Sequence, residues 1–249
     1  MLRAILLAAG SGRRLGVSHP KCLLRFGERT LLERHLGALA HLRVEEVAIV
    51  TGYERTQIEK ELAHVRPQPT LLFNPEFARG SVVSLWRARE WLQKGDDVLL
   101  MDADVLYDPA LLDVLAARRG SALLLDRNYD DRAGEAMKVC LERERIVEFR
   151  KQLAPELRFD DAGESVGFFR LAAETARSLA RHVERYVDAG RLDEPYEEPL
   201  RDVMLESPHA FEICDATGSA WIEIDFPSDV ERARAKVLPR LRSAEARRA

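Results

Sequence analysis

Short apolar runs alternate with amphipathic segments along the first half of the chain. The runs have the length of strands and lie at residues 4–9, 46–51, 70–73 and 97–101. Between the first two, apolar residues recur at the spacing of a helix, at Leu32, Leu36 and Leu39. Such alternation predicts βαβ units with right-handed crossovers. We therefore expect an α/β fold with a Rossmann-like, mostly parallel central sheet flanked by helices.

Polar residues mark the predicted starts of several helices. Thr30, followed by Glu33, has the spacing of a capping box and predicts a helix that continues to about Leu42. Another helix is expected from Ser84, and a third after Asp108, which is placed to act as its cap.

The pattern changes in the second half of the chain, where strands follow one another more closely. After a strand at 122–125, residues 136–141 and 145–149 form a predicted hairpin, and a strand returns at 165–170. The remaining helices are expected at 172–189, 198–205 and 227–241, and the remaining strands at 211–214 and 220–224. We interpret 1–249 as one domain with a smaller, more antiparallel insertion, and expect residues 243–249 to fray.

Composition narrows the class of protein. The chain has 249 residues, 46% hydrophobic and 32% charged, with a formal net charge of −4, which argues against a nucleic-acid coat. No apolar stretch reaches membrane-spanning length, so we expect a cytoplasmic protein without membrane insertion. The three cysteines, Cys22, Cys140 and Cys214, have neither zinc nor disulfide spacing and are expected to be buried. Small molecules are the expected partners, with a homodimer left open.

The loop after the first strand has the composition of a phosphate site. Gly10 and Gly12 let backbone N–H groups approach an anion, and Arg13, Arg14 and Lys21 supply positive charge. A dinucleotide fingerprint would need a third glycine where Leu15 stands, and the P-loop sequence is missing as well. The spacing excludes both of these familiar loops.

Carboxylates follow the strand at 97–101, as Asp102 and Asp104. Ligands collect at the carboxyl ends of parallel strands, and Mg²⁺ prefers hard oxygen ligands, so these residues are metal-site candidates. The alternative is that they only begin a turn. Asp225 ends a later apolar strand, with an N-cap role before the helix at Pro227 as its alternative, and Glu223 could substitute for it or orient it.

Residues 7–16, Leu-Ala-Ala-Gly-Ser-Gly-Arg-Arg-Leu-Gly, followed by Pro20-Lys21, resemble the signature loop of the nucleotidyltransferases that couple an NTP to a phosphorylated acceptor. The Asp-Ala-Asp form, residues 74–85 and the late segment 194–200 are most similar to the branch of phosphocholine, phospho-alcohol and phosphonate cytidylyltransferases. This resemblance implies a GT-A-like fold, with CTP as the nucleotide.

The same resemblance implies roles for individual residues. It implies that Asp104 and Asp225 hold Mg²⁺, that Arg14 stabilises the NTP, and that Lys21 lies against phosphate oxygens. Nucleotide recognition is expected from backbone and short side chains at the sheet edge, at Ala8, Ala9, Gly10, Gly12, Arg13, Gly52, Tyr53, Gly80 and Ser84.

The acceptor side is expected within about 127–215. Lys138 and Lys151 are candidates for the acceptor phosphate, although lysine also commonly protects exposed strand edges. Tyr196, Glu197 and Glu198 could surround a cationic amine, although acidic residues are also favoured at a helix N-terminus.

The expected function is a Mg²⁺-dependent cytidylyltransferase that transfers CMP from CTP to a small phosphorylated alcohol or phosphonate and releases pyrophosphate. A phosphocholine-like, aminoethylphosphonate-like or inositol-phosphate-like acceptor would fit. The alternatives are a sugar-1-phosphate nucleotidyltransferase, a molybdenum-cofactor guanylyltransferase, and a non-catalytic nucleotide-binding module.

Overall fold

A nine-stranded mixed sheet forms the centre of the protein in the computed structural model, which describes residues 1–44, 46–131 and 134–241. The strands are β1 Leu2–Ala8, β2 Arg25–Phe26, β3 Arg29–Thr30, β4 Val47–Thr51, β5 Thr70–Phe73, β6 Asp97–Asp102, β7 Val105–Tyr107, β8 Ser121–Asp126, β9 Lys138–Glu142, β10 Arg145–Arg150, β11 Asp161–Leu171, β12 Phe211–Asp215 and β13 Trp221–Glu223. The helices are α1 Leu31–His41, α2 Arg55–Leu62, α3 Ser81–Arg87, α4 Arg89–Gln93, α5 Ala110–Ala116, α6 Ala173–Asp188, α7 Glu197–Glu206 and α8 Pro227–Arg232.

The first half of the chain builds the parallel part of the sheet, in the order β6-β1-β4-β5. Neighbouring residues of β1 serve opposite faces, because side chains alternate along a strand. Ile5 joins the core that contains α3, α4, α6 and α7, whereas Leu6 joins the core that contains α1, α2 and α5. This arrangement confirms the predicted α/β sheet with helices on both faces.

The second half builds the antiparallel part around the long strand β11, which pairs antiparallel with β6, β8 and β9. This strand is longer than predicted because its first part pairs with β9 and its second part with β6 and β8. Its register shifts between Ser165 and Phe169, where Gly167 has a φ of 79°. Strands β9 and β10 form the expected hairpin.

Three predicted elements differ from the structure in detail. The helix expected from Ser84 begins at Ser81 and is interrupted at Ala88. The strand expected at 220–224 is the shorter β13, which pairs with β7 outside the main sheet. After α8 the helix continues through a π-helical turn, Ala233–Val237. The fraying expected at 243–249 lies outside the described residues.

The predicted helix caps are present in the structure, and the cysteines are buried as expected. Thr30 Oγ1 accepts from the backbone of Glu33, whose carboxylate accepts from the backbone of Thr30, which completes the predicted capping box. The carboxylate of Asp108 accepts from the N–H of Ala110 at 3.0 Å, at the start of α5. The cysteines are free thiols inside the protein, at Cys22, Cys140 and Cys214. None of the described helices combines the length and apolar composition that crossing a membrane requires.

An ion pair between a buried arginine and a partly exposed aspartate joins the two halves of the sheet. Arg170 on β11 is 8% exposed and donates to Asp97 Oδ2 at 2.6 Å, and Asp97 Oδ1 accepts from the N–H of Ala173 at the start of α6.

We expect Asp97→Ala to lower the free energy of unfolding in urea by about 3 kcal/mol, because it leaves a buried guanidinium without its carboxylate. Glu90→Ala, on an exposed face of α4, is the control, with an expected change below about 0.5 kcal/mol. Equal effects of the two substitutions would contradict this role.

His35 makes folding stability depend on pH. The ring is fully buried on α1, near Tyr107 and Phe168, and burial lowers its pKa from 6.5 to about 4. The unfolded chain binds a proton here below about pH 6.5, whereas the folded protein does not, so stability is lost as the pH falls from 6.5 towards 4.

We therefore expect wild type to lose about 3 kcal/mol relative to His35→Phe between pH 7.5 and 4.5, measured by urea unfolding. His64 is exposed, so the control His64→Gln should follow wild type. Parallel stability curves for wild type and His35→Phe would refute the assignment.

Candidate active site

The glycine-rich loop folds back onto the lysine that follows it. After β1, Gly12 adopts a φ of 58°, and the N–H of Leu15 donates to its carbonyl at 2.9 Å. A Cβ atom at Gly12 would lie 2.9 Å from Lys21 Cγ, so the missing side chain leaves room for the lysine stem. Gly12 thus serves both the turn and the placement of Lys21.

Lys21 lies between two carboxylates that are remote in sequence. Its Nζ donates to Asp104 Oδ2 at 2.8 Å and also to Asp225 Oδ1. Burial alone would lower the pKa of Lys21, but the charges and hydrogen bonds of Asp104 and Asp225 hold it above its ordinary value. The lysine is therefore a fixed cation, and it connects the N-terminal loop to the segments that follow β6 and β13.

A third carboxylate completes this cluster. One oxygen each from Asp104, Glu223 and Asp225 lies within 4.8 Å of the others. Burial raises the pKa of Asp225, but the charge and hydrogen bond of Lys21 together with the charges of Lys151 and Arg14 outweigh it, so the net shift is downward. The side chain of Glu223 is exposed to solvent on one side. Burial of the rest of the side chain raises its pKa, and the charges of Asp104 and Asp225 raise it further. One lysine opposes three carboxyl groups, a hard-oxygen donor set that fits a divalent cation.

The side chain of Asp225 does not cap α8. Asp229 does so instead: its Oδ2 accepts from the N–H of Phe226 at 2.7 Å and from the N–H of Asp225 at 3.0 Å. Sequence reasoning missed Asp229, although an acidic residue in the first turn after Pro227 is itself a helix-start signal. With the cap supplied by Asp229, the carboxylate of Asp225 is directed to Lys21.

The two aspartates of the Asp-Ala-Asp segment face different surroundings. Asp102 accepts a hydrogen bond from the hydroxyl of Tyr196 at 2.7 Å, whereas Asp104 contacts Lys21. Burial, followed by the nearby charges of Asp104, Glu197 and Glu223, raises the pKa of Asp102. Asp104 therefore faces the lysine at the sheet edge, whereas Asp102 lies in the neighbouring cleft.

Several predicted nucleotide-side residues come together beside the loop. The N–H of Tyr53 donates to the carbonyl of Ala9 at 3.1 Å. A Cβ atom at Gly52 would lie 2.4 Å from Phe77 Cβ and 2.7 Å from the Ala9 oxygen, so glycine permits this close approach. Phe77, missed by sequence reasoning, adds a ring 6.1 Å from that of Tyr53.

Gly80 and Ser84, at the start of α3, make contacts inside the protein. Ser84 Oγ accepts from Asn74 Nδ2 at 3.0 Å, and both residues are buried. A Cβ atom at Gly80 would meet the Glu194 carbonyl at 2.1 Å, so this loop lies directly against the chain that leads into α7. The hydroxyl of Ser81 accepts from the N–H of Tyr196 at 2.8 Å and strengthens that connection. Nucleotide contact by Gly80 and Ser84 stays a prediction.

Arg13 and Arg14 are both exposed, and Arg14 lies beside carboxylates of the site. The Nη1 atom of Arg14 lies 3.8 Å from Asp225 Oδ2 and 3.3 Å from Glu135 Oε2. The same Glu135 oxygen accepts from Lys151 Nζ at 3.0 Å. One carboxylate oxygen is thus shared between a cation of the N-terminal loop and a cation that follows β10.

A cleft opens beside the carboxylate cluster and shares Glu223 with it. Lys151, Tyr196 and Glu197, which were predicted for the acceptor side, line this cleft, and their contact with an acceptor stays a prediction. Its wall includes further residues that sequence reasoning missed: Met137, Phe149, Ser165, Gly167 and Phe169. A glycine inside a strand, such as Gly167, often marks a close approach of another group to the backbone, and this was the sequence signal for the wall of the cleft. Here a Cβ atom at Gly167 would lie 2.4 Å from Asp102 Oδ2.

Two other acceptor candidates are engaged elsewhere. Lys138 Nζ donates to Asp131 Oδ2 at 2.5 Å, and Glu198 accepts two hydrogen bonds from Arg150, at 2.9 and 2.6 Å. Their roles toward an acceptor stay predictions. A larger groove between α5 and residues 239–240 has none of the three clustered carboxylates in its lining, whereas the smaller cleft includes Glu223, so we take the smaller cleft as part of the candidate active site.

Comparison with known proteins identifies the family to which the chain belongs. Residues 4–188 match the model of the MobA-like NTP transferase domain. Over 96% of its length the chain is 30% identical to a CMP-5'-(3-aminopropyl)phosphonate synthase of Streptomyces rubellomurinus, of which it covers 39%. Over 94% of its length it is 29% identical to a bifunctional IPC transferase and DIPP synthase of Rubrobacter xylanophilus, of which it covers 52%. The chain thus spans about half or less of these relatives.

The fold is shared with a solved structure, that of the inositol-1-phosphate CTP transferase from T. maritima. The TM-score is 0.74 at 21% identity, and 96% of each chain is covered. Since the family model matches most of the chain, including the glycine-rich loop and the Asp-Ala-Asp segment, the protein belongs to the MobA-like NTP transferase domain family of nucleotidyltransferases.

Proposed function

We propose that the chain is a Mg²⁺-dependent cytidylyltransferase that transfers CMP from CTP to a small phosphorylated alcohol or phosphonate and releases pyrophosphate. The observation that carries this proposal is the contact of Lys21 with both Asp104 and Asp225 beside the glycine-rich loop. Residues 1–249 act as one nucleotidyltransferase domain in this proposal, and about 127–215 supply the acceptor side. CTP is supported by the activities named for the relatives from S. rubellomurinus and T. maritima.

In this reaction the protein has to position the two substrates and stabilise the charge of their phosphates. An oxygen of the acceptor phosphate or phosphonate attacks the α-phosphorus of CTP in line, a new P–O bond forms, and the bond to the leaving pyrophosphate breaks. The attacking oxygen is already anionic, so no protein base has to remove a proton. Lys21, held in place by two carboxylates, offsets negative charge as the reacting phosphates approach one another.

Asp104 and Asp225 are the residues that would hold Mg²⁺, with Glu223 close enough to join or orient them. When bound, the ion would offset phosphate charge and orient the phosphate oxygens. The combination of carboxylates, fixed lysine and glycine-rich loop also argues against a non-catalytic nucleotide-binding module, which needs no such arrangement around a reacting centre.

The cations Arg14 and Lys151 would receive phosphate oxygens from the two substrates. Each lies within 3.3 Å of the Glu135 carboxylate oxygen, which holds both cations near one point. Substrate phosphates carry the same kind of oxygen and more charge, so they would compete for these cations. The nucleotide half and the acceptor half of the site would therefore meet at this position.

A screen of substrates tests the proposed activity. Each of the four NTPs is paired with phosphocholine, aminoethylphosphonate, inositol phosphate and glucose-1-phosphate, and pyrophosphate release is measured. We expect turnover with CTP and a phospho-alcohol or phosphonate, loss of turnover on chelation, and recovery when Mg²⁺ is restored. Exclusive use of UTP or dTTP with the sugar phosphate would establish the sugar-1-phosphate alternative instead.

Substitutions test the assigned residues. We expect Asp104→Ala and Lys21→Ala each to lower kcat/KM by about a hundred- to a thousandfold, because each removes a preorganised charge from the reacting centre. Circular dichroism and thermal unfolding should show an intact fold. The matched control is Asp188→Ala, which removes an exposed carboxylate at the end of α6. Wild-type turnover in both site variants would refute the assignment.

A further inference from the structure

Arg14 contacts two carboxylates and one aromatic ring among the described residues. Its Nη1 atom lies 3.3 Å from Glu135 Oε2 and 3.8 Å from Asp225 Oδ2. Its guanidinium also lies over the ring of Phe226, with Cζ 5.4 Å from the ring centroid. The side chain of Arg14 is 55% exposed, and a long exposed side chain samples many rotamers unless contacts restrict it. These contacts therefore determine where the cation stands.

The two carboxylates are poor anchors for a cation that has to bind a triphosphate. Both are contacted through Nη1, and phosphate oxygens compete with carboxylate oxygens for the same N–H donors. Each carboxylate also has a lysine as a second partner. Glu135 accepts from Lys151 at 3.0 Å. Asp225 accepts from Lys21. We therefore expect both contacts with Arg14 to weaken when a nucleotide binds.

The ring of Phe226 makes a contact of a different kind. An aromatic face attracts a guanidinium through its quadrupole and uses none of the N–H donors in the guanidinium plane. Arginine is suited to this arrangement, because it can stack on a ring and bind phosphate with two N–H groups. The ring also carries no charge that would repel a phosphate. Of the three contacts of Arg14 described above, it is the one that can persist when a triphosphate is bound.

The position of this ring is fixed by the start of α8. The N–H of Phe226 donates to Asp229 Oδ2 at 2.7 Å, and its carbonyl accepts from the N–H of Asp229 at 2.9 Å. Asp229 is 5% exposed, and its Oδ1 accepts from Arg232 at 2.7 Å. The Oδ2 atom of Asp229 also accepts from the N–H of Asp225. One turn of chain therefore holds both the ring beside Arg14 and the backbone of Asp225.

We propose that Phe226 is a positioning residue, whose ring holds the guanidinium of Arg14 at the place where it binds the triphosphate of the nucleotide. The inference rests on the proposed function, in which Arg14 binds the NTP. A role in packing alone would need an apolar side chain of about this size, whereas this role needs an aromatic face. The two roles therefore predict different results for Phe226→Leu and Phe226→Tyr.

Calorimetric binding of CTP with Mg²⁺, measured without an acceptor, tests this role directly. Phe226→Leu keeps an apolar side chain but removes the ring, and we expect it to raise the Kd for CTP about three- to fivefold. Phe226→Tyr keeps the ring and should bind CTP within about 1.5-fold of wild type. Phe73→Leu is the control and should bind CTP like wild type. The ring of Phe73 on β5 carries the guanidinium of Arg55 in the same way, at 4.4 Å, but belongs to neither the cleft nor the carboxylate cluster.

A double-mutant cycle shows whether the ring acts through Arg14. Arg14→Ala removes the guanidinium, so adding Phe226→Leu to this variant should leave the Kd for CTP unchanged. A ring that only packs against its neighbours would give additive effects instead. In steady-state kinetics, Phe226→Leu should raise KM for CTP but not KM for the acceptor. Thermal melts of all variants verify that they are folded.

Wild-type affinity in Phe226→Leu, equal losses in Phe226→Leu and Phe226→Tyr, or additive effects in the cycle would overturn the inference. The result does not depend on turnover. If CTP binds but no acceptor releases pyrophosphate, the proposed transfer fails, while the Kd values still decide the role of the ring. If only another NTP binds, the same titrations use that nucleotide, because the triphosphate is common to all. If no NTP binds, both proposals fail.

Discussion

The contact of Lys21 with Asp104 and Asp225 is the interaction on which the site depends. It joins a loop after the first strand, the end of a central strand and a segment near the end of the described chain. Without the lysine, two carboxylates would repel one another at the sheet edge; without the carboxylates, a buried ammonium would lack compensation. Gly12 makes room for the lysine stem, and Asp229 caps the following helix so that the Asp225 side chain can turn inward.

The Asp-Ala-Asp segment divides the site into two chemical regions. Asp104 faces the cationic centre, where phosphates would react, and Asp102 faces the cleft, where Tyr196 holds it. The close approach of Gly167 to Asp102 depends on the register shift in β11. The antiparallel half of the sheet thus supplies the wall of the cleft, while the parallel half supplies the loops that are predicted to contact the nucleotide.

Periodicity predicted most elements because helices and strands bury apolar residues at different spacings. The capping box of Thr30 and Glu33 and the strand at 70–73 were read directly from local sequence. The predicted helix from Ser84 was wrong at its start, since Ser81 already lies in helix and binds the backbone of Tyr196. Likewise, nothing local showed that β13 pairs with β7 rather than with the main sheet.

The sequence by itself determined the α/β class, the cluster of glycines and cations in the first loop and the carboxylates at strand ends, because these follow from local spacing and residue chemistry. Only the tertiary structure decided which charges meet. It joined Lys21 to Asp104 and Asp225, and it paired Glu198 with Arg150. These outcomes depend on contacts between residues far apart in the chain, which no local pattern encodes.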